Sequence, residues 1–378
     1  MNDPVAPVPT MASADDARFM LLAFTLGRRN LGHTWPNPAV GSVIVKDGII
    51  LARGWTQIHG RPHAEIEALR RAKKTAQGLQ GATLYVTLEP CSHHGKTPPC
   101  ADAIIKAGIA RVVSALEDPN PEVAGKGHEK LRGKGIAVDI GLGADEARRI
   151  HVGHITRIQK ARPFVTLKLA LSKDGKVGLA GRKPVAITGE PARSRVFQLR
   201  ARSDAILVGI GTVLADNPHL TCRLPGMDEH SPVRVVLDAQ LRLPLATAVV
   251  ATVRETPTWV FTARKPSTIA EEILQQKGCK VFRVDERNGK LDLEAVLKIL
   301  AEQGITRLMV EGGPTVAASF VGADLIDEAV LLRADKIIGE GGIDALEGMA
   351  LGALTEHLQS RGSEQLGADT LETFERVS

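Results

Sequence analysis

A histidine and two cysteines, separated by a strand and a loop, constrain the fold of this chain more than any other feature. His63 and Glu65 stand in "HAE", at the start of a helical pattern. Cys91 and Cys100 stand in "LEPCSHHGKTPPCAD", directly after the strand-like run "ATLYVTLEP". Only four cysteines occur in 378 residues, so two in one short loop are conspicuous. Four are too few for a disulfide framework in a chain of this size and fit a reducing cytosol. That context favours metal or redox chemistry for a close cysteine pair.

A catalytic zinc site has three protein ligands and a water in the fourth position. The metal lowers the pKa of that water from 15.7 to roughly 7, and a neighbouring group that does not ligate the metal must carry the proton. His63, Cys91 and Cys100 are the candidate ligands, and Glu65 the candidate proton shuttle. H-x-E followed by P-C-x-x-C is the signature of zinc deaminases. Here eight residues separate the cysteines instead of two. Pro98 and Pro99 stiffen the return of that longer loop, and Cys100 is expected to open a helix whose dipole favours a thiolate. His93 and His94 are rival ligands by type. A closed four-ligand site would be structural, but it leaves Glu65 without a role.

The length of 378 residues predicts two domains. Apolar residues at 43% and charged residues at 24% match a soluble globular protein. Aromatics at 3% leave single-stranded nucleic acid without stacking platforms. The net charge of +5 is dispersed, and it suits a phosphorylated small molecule as well as a polyanion. No apolar run approaches the length of a membrane span, and the start lacks a secretory signal. Neither a nucleic acid nor a membrane is therefore expected as a partner, and the expected location is cytoplasmic.

The pattern predicts an α/β protein in four stretches: a disordered Pro-rich leader (1–14), a zinc deaminase domain (15–145), a linker helix (146–162) and a second α/β domain (163–378). In the first domain a helix from Asp15 to Asn30 precedes the loop "TWPNPAVG", a hairpin about "KDG", the "HAE" helix, the "ATLYVTLEP" strand and the "CADAIIKAG" helix. The second domain alternates strands "PFVTLKLALS", "DAILVG", "PVRVVLD", "PTWVFT", "CKVFRV" and "TRLMVEGG" with helices such as "LDLEAVLKILAEQG". In "GIGTVL", Leu214 stands where a Rossmann fingerprint needs its third glycine. "EGGPT" is better placed, because Gly312 and Gly313 let backbone amides approach a phosphate at a helix start, with Thr315 as an added donor.

Read in order, "PNPAVG", "HAE", "EPCSHHGKTPPC" and "EDPNP" resemble the deaminase domain of the bifunctional riboflavin-biosynthesis deaminase/reductases. "KLALSKDGK", "TGEPARSRVFQLRARSDAILVGIGTVLADNP" and "VEGGPT" resemble their reductase domain. The resemblance implies a cytidine-deaminase-like three-layer sandwich followed by a dihydrofolate-reductase-like domain. It implies hydrolytic deamination of a diaminopyrimidinone carrying a phosphoribosylamino arm, using one Zn2+ per chain with Glu65 as proton carrier. Reduction of the ribosyl group to ribityl by NADPH would follow. Asn37, Lys96, Asp118 and Asn120 would hold the first substrate. Lys168, Arg200, Leu220, Arg223 and Glu311 would face the second, the arginines suiting its phosphate. Ala170, Thr212, Asp216 and the stretch Gly313, Pro314, Thr315, Val316, Ala317, Ala318 and Ser319 would contact NADPH. A homo-oligomer, dimer or tetramer, is also implied.

The chain departs from the family pattern at "GRKPVAIT", with Pro184 in place of a substrate-binding serine and Ala186 in place of a cofactor-stacking aromatic. Ala239 replaces a serine expected near the cofactor. An alternative reading is a nucleoside or tRNA deaminase with a non-catalytic C-terminal module. A third is a binding protein with a structural zinc.

Overall fold

Alternation in one short strand sets the layering of the first half. In β1 (Gly41–Lys46), Val43 and Val45 point to one face of the sheet and Ile44 to the other, so both faces need cover. The structure, a computed structural model, describes residues 13–73, 78–95, 97–182 and 185–377. β1 turns through Asp47 and Gly48, both at positive φ, into the antiparallel β2 (Ile49–Trp55). β3 (Thr83–Val86), β4 (Arg111–Ser114) and β5 (Ala137–Ile140) run parallel to one another, giving the order β2-β1-β3-β4-β5.

Helix α1 (Ala14–Gly27) begins at a reciprocal Ser13–Asp16 capping box and buries Phe19, Met20, Ala23 and Phe24 against Val43, Val45 and Tyr85. The expected end at Asn30 falls in a 3-10 turn, Arg28–Asn30. The opposite face is covered by α2 (Ala64–Ala72), α3 (Cys100–Lys106) and α4 (Lys126–Arg132), which bring Ala68, Leu69, Ile104 and Leu131 onto Ile44, Leu84 and Val112. This is the three-layer sandwich.

Helix α5 (Ala144–Lys160) corrects the reading of residues 146–162 as a linker. It buries Ala147 and Ile150 beside α1, in the same cluster as Phe19 and Val43. The chain divides after Ala161, so this helix is part of the first unit. Its apolar stripe is a core face, which a free linker would not need.

The second unit is built on β6 (Phe164–Leu171), with β7 (Lys176–Gly178), α6 (Glu190–Ala201), β8 (Ala205–Gly209), α7 (Ile210–Asp216), β9 (Val233–Leu237), α8 (Ala248–Ala251) and β10 (Thr258–Thr262) following. Then come α9 (Thr268–Lys277), β11 (Lys280–Arg283), the hairpin β12 (Glu286–Arg287) and β13 (Lys290–Leu291), α10 (Leu293–Glu302), β14 (Arg307–Val310), α11 (Pro314–Gly322), β15 (Glu328–Arg333), β16 (Ile343–Asp344), β17 (Leu358–Leu366) and β18 (Asp369–Arg376). The main sheet has the order β11-β10-β9-β8-β14-β6-β15-β18-β17. It is parallel up to β15 and antiparallel through the last two strands. β17 and β18 form a hairpin beyond the last strand that the sequence pattern predicts. β17 is almost wholly exposed and polar, as a solvated edge strand must be to avoid pairing with other chains.

Candidate active sites

The first site forms where β3 ends and two helices begin. His63 is the residue that caps α2, its backbone extended, and Cys100 is the first residue of α3. Cys91 lies beyond the end of β3. His63 Nδ1 is 3.3 Å from Cys100 Sγ and 3.7 Å from Cys91 Sγ, and the Cys100 N–H donates to Cys91 Sγ at 3.3 Å. One ligand atom from each of the three residues lies within 4.8 Å of the others. No partner among the described residues meets the enclosed Nε2 of His63. A converging imidazole nitrogen and two sulfurs are a donor set suited to Zn2+. The rivals His93 and His94 are exposed and lie outside this cluster.

Electrostatics mark the same place. A shared hydrogen bond with Cys100 draws the Cys91 thiol well down, with His63 adding to it, and holds the Cys100 thiol up. Both sulfurs would bind a cation held between them as thiolates, which would remove that competition. Glu65, only 4% exposed, is pushed up to about 7 by burial, and it is in hydrogen-bond contact with Cys100. Its carboxyl can thus hold or release a proton near neutrality. Close packing holds it there. A side chain at Gly54 of β2 would put its Cβ 2.1 Å from the Ala64 carbonyl, so α2 sits directly on the strand.

Of the expected substrate residues, Asn37 donates from Nδ2 to the Gly60 carbonyl at 3.0 Å, tying its loop to the segment before "HAE". Asp118 accepts the Asn120 N–H at 2.9 Å, and Asn120 Oδ1 accepts from the Glu122 N–H at 3.1 Å. Lys96 and Pro184 lie outside the described residues. Sequence reasoning missed Glu89, whose buried carboxylate accepts four backbone N–H groups, from Asp118, Gly125, Gly127 and His128, at 2.8–3.3 Å. Those donors saturate its lone pairs, so the grouping of Glu89 with Glu117 and His128 reads as a loop anchor, not a second metal site. An acidic residue at the end of an apolar strand was the available signal.

The second site is a cleft of about 1250 Å³ at the ends of the parallel strands. Lys168, Ala170, Thr212, Asp216, Glu311, Gly313, Pro314, Thr315, Val316 and Ser319 line it, as do Ala186 and Ala239. "GIGTVL" folds as the start of α7, not as a phosphate loop. "EGGPT" caps α11 through Gly313, with Pro314 in its first turn. A Cβ at Gly312 would sit 2.5 Å from Val316 Cβ, and one at Gly209 would sit 2.8 Å from Val316 Cγ2. The two glycines therefore let α11 press onto the ends of β8 and β14. The start of that helix, which lines the cleft, suits an anionic cofactor such as NADPH.

At four of the expected contacts the side chain is paired within the protein or turned inward. The Arg200 guanidinium pairs with Glu311 at 2.8 and 3.1 Å and donates to the Thr221 carbonyl at 3.0 Å. Leu220 is buried in the apolar core at a φ of 57°. Ala317 and Ala318 are likewise buried and do not line the cleft, because they follow the first turn of α11 on its inner side. Arg223 stays exposed, its guanidinium 5.0 Å from the Phe197 ring. Burial raises the Glu311 carboxyl, but Arg200 and Lys168 more than offset this and bring it down to about 2. Arg193, Arg242 and Lys290 also line the cleft and were not foreseen.

Comparison with known proteins finds relatives along nearly the whole chain. Residues 163–371 match the RibD C-terminal domain family, and residues 13–116 match the cytidine and deoxycytidylate deaminase zinc-binding region. The chain is 43% identical over 363 residues to the riboflavin biosynthesis protein RibD of Aquifex aeolicus, covering 96% of this chain and 98% of that one. The solved structure of Acinetobacter baumannii RibD superposes with a TM-score of 0.85 at 35% identity, covering 96% of this chain and 99% of that one. That of a Thermotoga maritima diaminohydroxyphosphoribosylaminopyrimidine deaminase/5-amino-6-(5-phosphoribosylamino)uracil reductase gives 0.83 at 36%, covering 96% and 98%. Two joined domains of these kinds, matched along nearly the whole chain, place it in the RibD family of bifunctional, zinc- and NADPH-dependent deaminase/reductases of riboflavin biosynthesis.

Proposed function

We propose that the first unit deaminates 2,5-diamino-6-(5-phosphoribosylamino)pyrimidin-4(3H)-one and that the second reduces the ribosyl group of the product to ribityl. The observation that carries the first step is the meeting of His63 Nδ1 and the Cys91 and Cys100 sulfurs beside the enclosed Glu65. Zinc, when bound by these three residues, supplies a water acidic enough to act as nucleophile near neutral pH. Glu65 takes up the water proton and passes it to the ring nitrogen, then carries the proton of the added hydroxyl to the amine, which leaves as ammonia as the C–N bond breaks and the carbonyl forms. Asn37, Lys96, Asp118 and Asn120 hold the pyrimidine and its arm.

For the second step, NADPH supplies the hydride. Thr212, Asp216, the start of α11 and the backbone at Ala170 hold the nucleotide. Glu311 and Lys168, 3.6 Å apart, face the ribosyl group from the cleft wall. Arg200 acts by fixing Glu311, and the exposed Arg223 is the better partner for the substrate phosphate. Four free thiols fit a reducing, cytoplasmic setting. The homo-oligomer expected from the family is read directly by sedimentation.

The deciding experiment supplies the diaminopyrimidinone phosphate with and without NADPH, following ammonia and NADPH oxidation separately. Ammonia release without NADPH, then NADPH consumption by the product, is the expected result. Deamination of cytidine or tRNA in place of this substrate would overturn the reading.

A further inference from the structure

Helix α5 presents His151, His154 and Arg157 at three-residue spacing, which sets them along one face. His151 Nε2 lies 3.1 Å from the Thr87 carbonyl oxygen and 3.2 Å from its hydroxyl. His154 Nε2 lies 3.0 Å from Asp118 Oδ1. The Arg157 guanidinium reaches the Pro36 carbonyl at 3.5 Å. Thr87 exchanges two hydrogen bonds of 3.1 Å with Gly41 and stands at the head of the Cys91 loop. Pro36 adjoins Asn37. One helix face thus touches three of the four segments that carry the deaminase residues, the start of α2 being the fourth.

We propose that His154 is a positioning residue for deamination, holding Asp118 Oδ1 so that Oδ2 is presented to the pyrimidine substrate. This rests on the reading of Asp118 as a substrate contact. Facing a carboxylate oxygen, Nε2 is the donor. Oδ1 also accepts the Asn120 N–H at 2.9 Å, so among the described residues both hydrogen bonds to this carboxylate end on the same oxygen. Two fixed donors on Oδ1 set the plane of the carboxylate and leave Oδ2 to the ligand. Asp118 and His154 are 7% and 8% exposed, so little water competes for this bond. The other ring nitrogen, Nδ1, is enclosed and meets no partner among the described residues. The polar function of the ring is spent on Asp118.

The test uses the full chain with the diaminopyrimidinone phosphate and reads the KM and kcat of ammonia release, zinc content, thermal midpoint, and NADPH consumption on pre-deaminated substrate. His154→Phe keeps the volume and removes the donor, His154→Gln keeps a donor, and Asp118→Asn weakens the acceptor. His154→Phe is expected to raise the deamination KM on the order of tenfold, with kcat, zinc and reduction little changed, and His154→Gln to restore most of it. Combined with Asp118→Asn, the two effects should be less than multiplicative. A raised KM in Asp118→Asn with a normal KM in His154→Phe overturns the positioning role alone. A normal KM in Asp118→Asn removes Asp118 from the site and overturns both readings. Parallel loss of KM, zinc and thermal stability in His154→Phe, unrescued by Gln, makes the histidine merely structural and also overturns the proposal.

Discussion

Glu65 and Glu311 are both enclosed carboxyls, and their surroundings push them in opposite directions. Burial without a nearby arginine raises Glu65 to about 7, whereas Arg200 and Lys168 bring Glu311 to about 2. Glu65→Gln keeps the shape and removes the proposed proton carrier. Ammonia release should fall by about 10²–10⁴-fold, with zinc content and NADPH oxidation on pre-deaminated substrate unchanged. Loss of both steps together would contradict separate sites. Glu311 ordinarily titrates at 4.5, so its lowered folded value stabilises the chain above that pH. The stabilisation is lost as pH falls from about 4.5 toward 2. Thermal melts over that window should show a shallower pH response in Glu311→Gln than in the parent chain, and equal slopes would exclude this linkage. Removing one partner, in Arg200→Ala, leaves the buried carboxylate with Lys168 alone, 3.6 Å away, and should cost up to about 3–5 kcal/mol, read by denaturant melts.

At the scale of elements, each site depends on a helix start pressed against a strand through glycine. Gly54 gives α2 its close seat on β2, and Gly312 gives α11 its seat on β14. Gly54→Ala would force Ala64 and Ala68 away and move His63 and Glu65 with them. Overpacking of this kind should destabilise the first unit by about 1–3 kcal/mol and lower zinc occupancy, measured by metal analysis after gel filtration. Full zinc content in that variant would show that the helix can give way without moving its ligands. These close approaches were only partly legible. "HAE" and "EGGPT" mark helix starts by local chemistry, but nothing local says which strand each start will meet.

At the scale of the whole molecule, the division after Ala161 makes α5 part of the deaminase. A chain ending at residue 161 should release ammonia, while one ending at residue 145, where the sequence places the domain end, should lose that activity and aggregate through the bared face of α1. Equal activity in both truncations would return α5 to the status of a linker. Chelation of zinc from the full chain should stop ammonia release and leave reduction of pre-deaminated substrate intact.

The sequence by itself determined the α/β class, the presence of two domains, the helix starts and the His63, Cys91, Cys100 and Glu65 set. These follow from hydrophobic period, cap and turn chemistry and ligand type, all of which act over a few residues. Tertiary structure alone decided that α5 completes the first core, that Glu89 anchors the loop from Asp118 to His128, and that Arg200 is committed to a glutamate 111 positions away. It also turned Leu220, Ala317 and Ala318 inward. Whether a charged side chain meets a substrate or an opposite charge depends on which groups folding brings within about 4 Å of it. That neighbourhood is a property of packing between distant segments, and no local pattern encodes it.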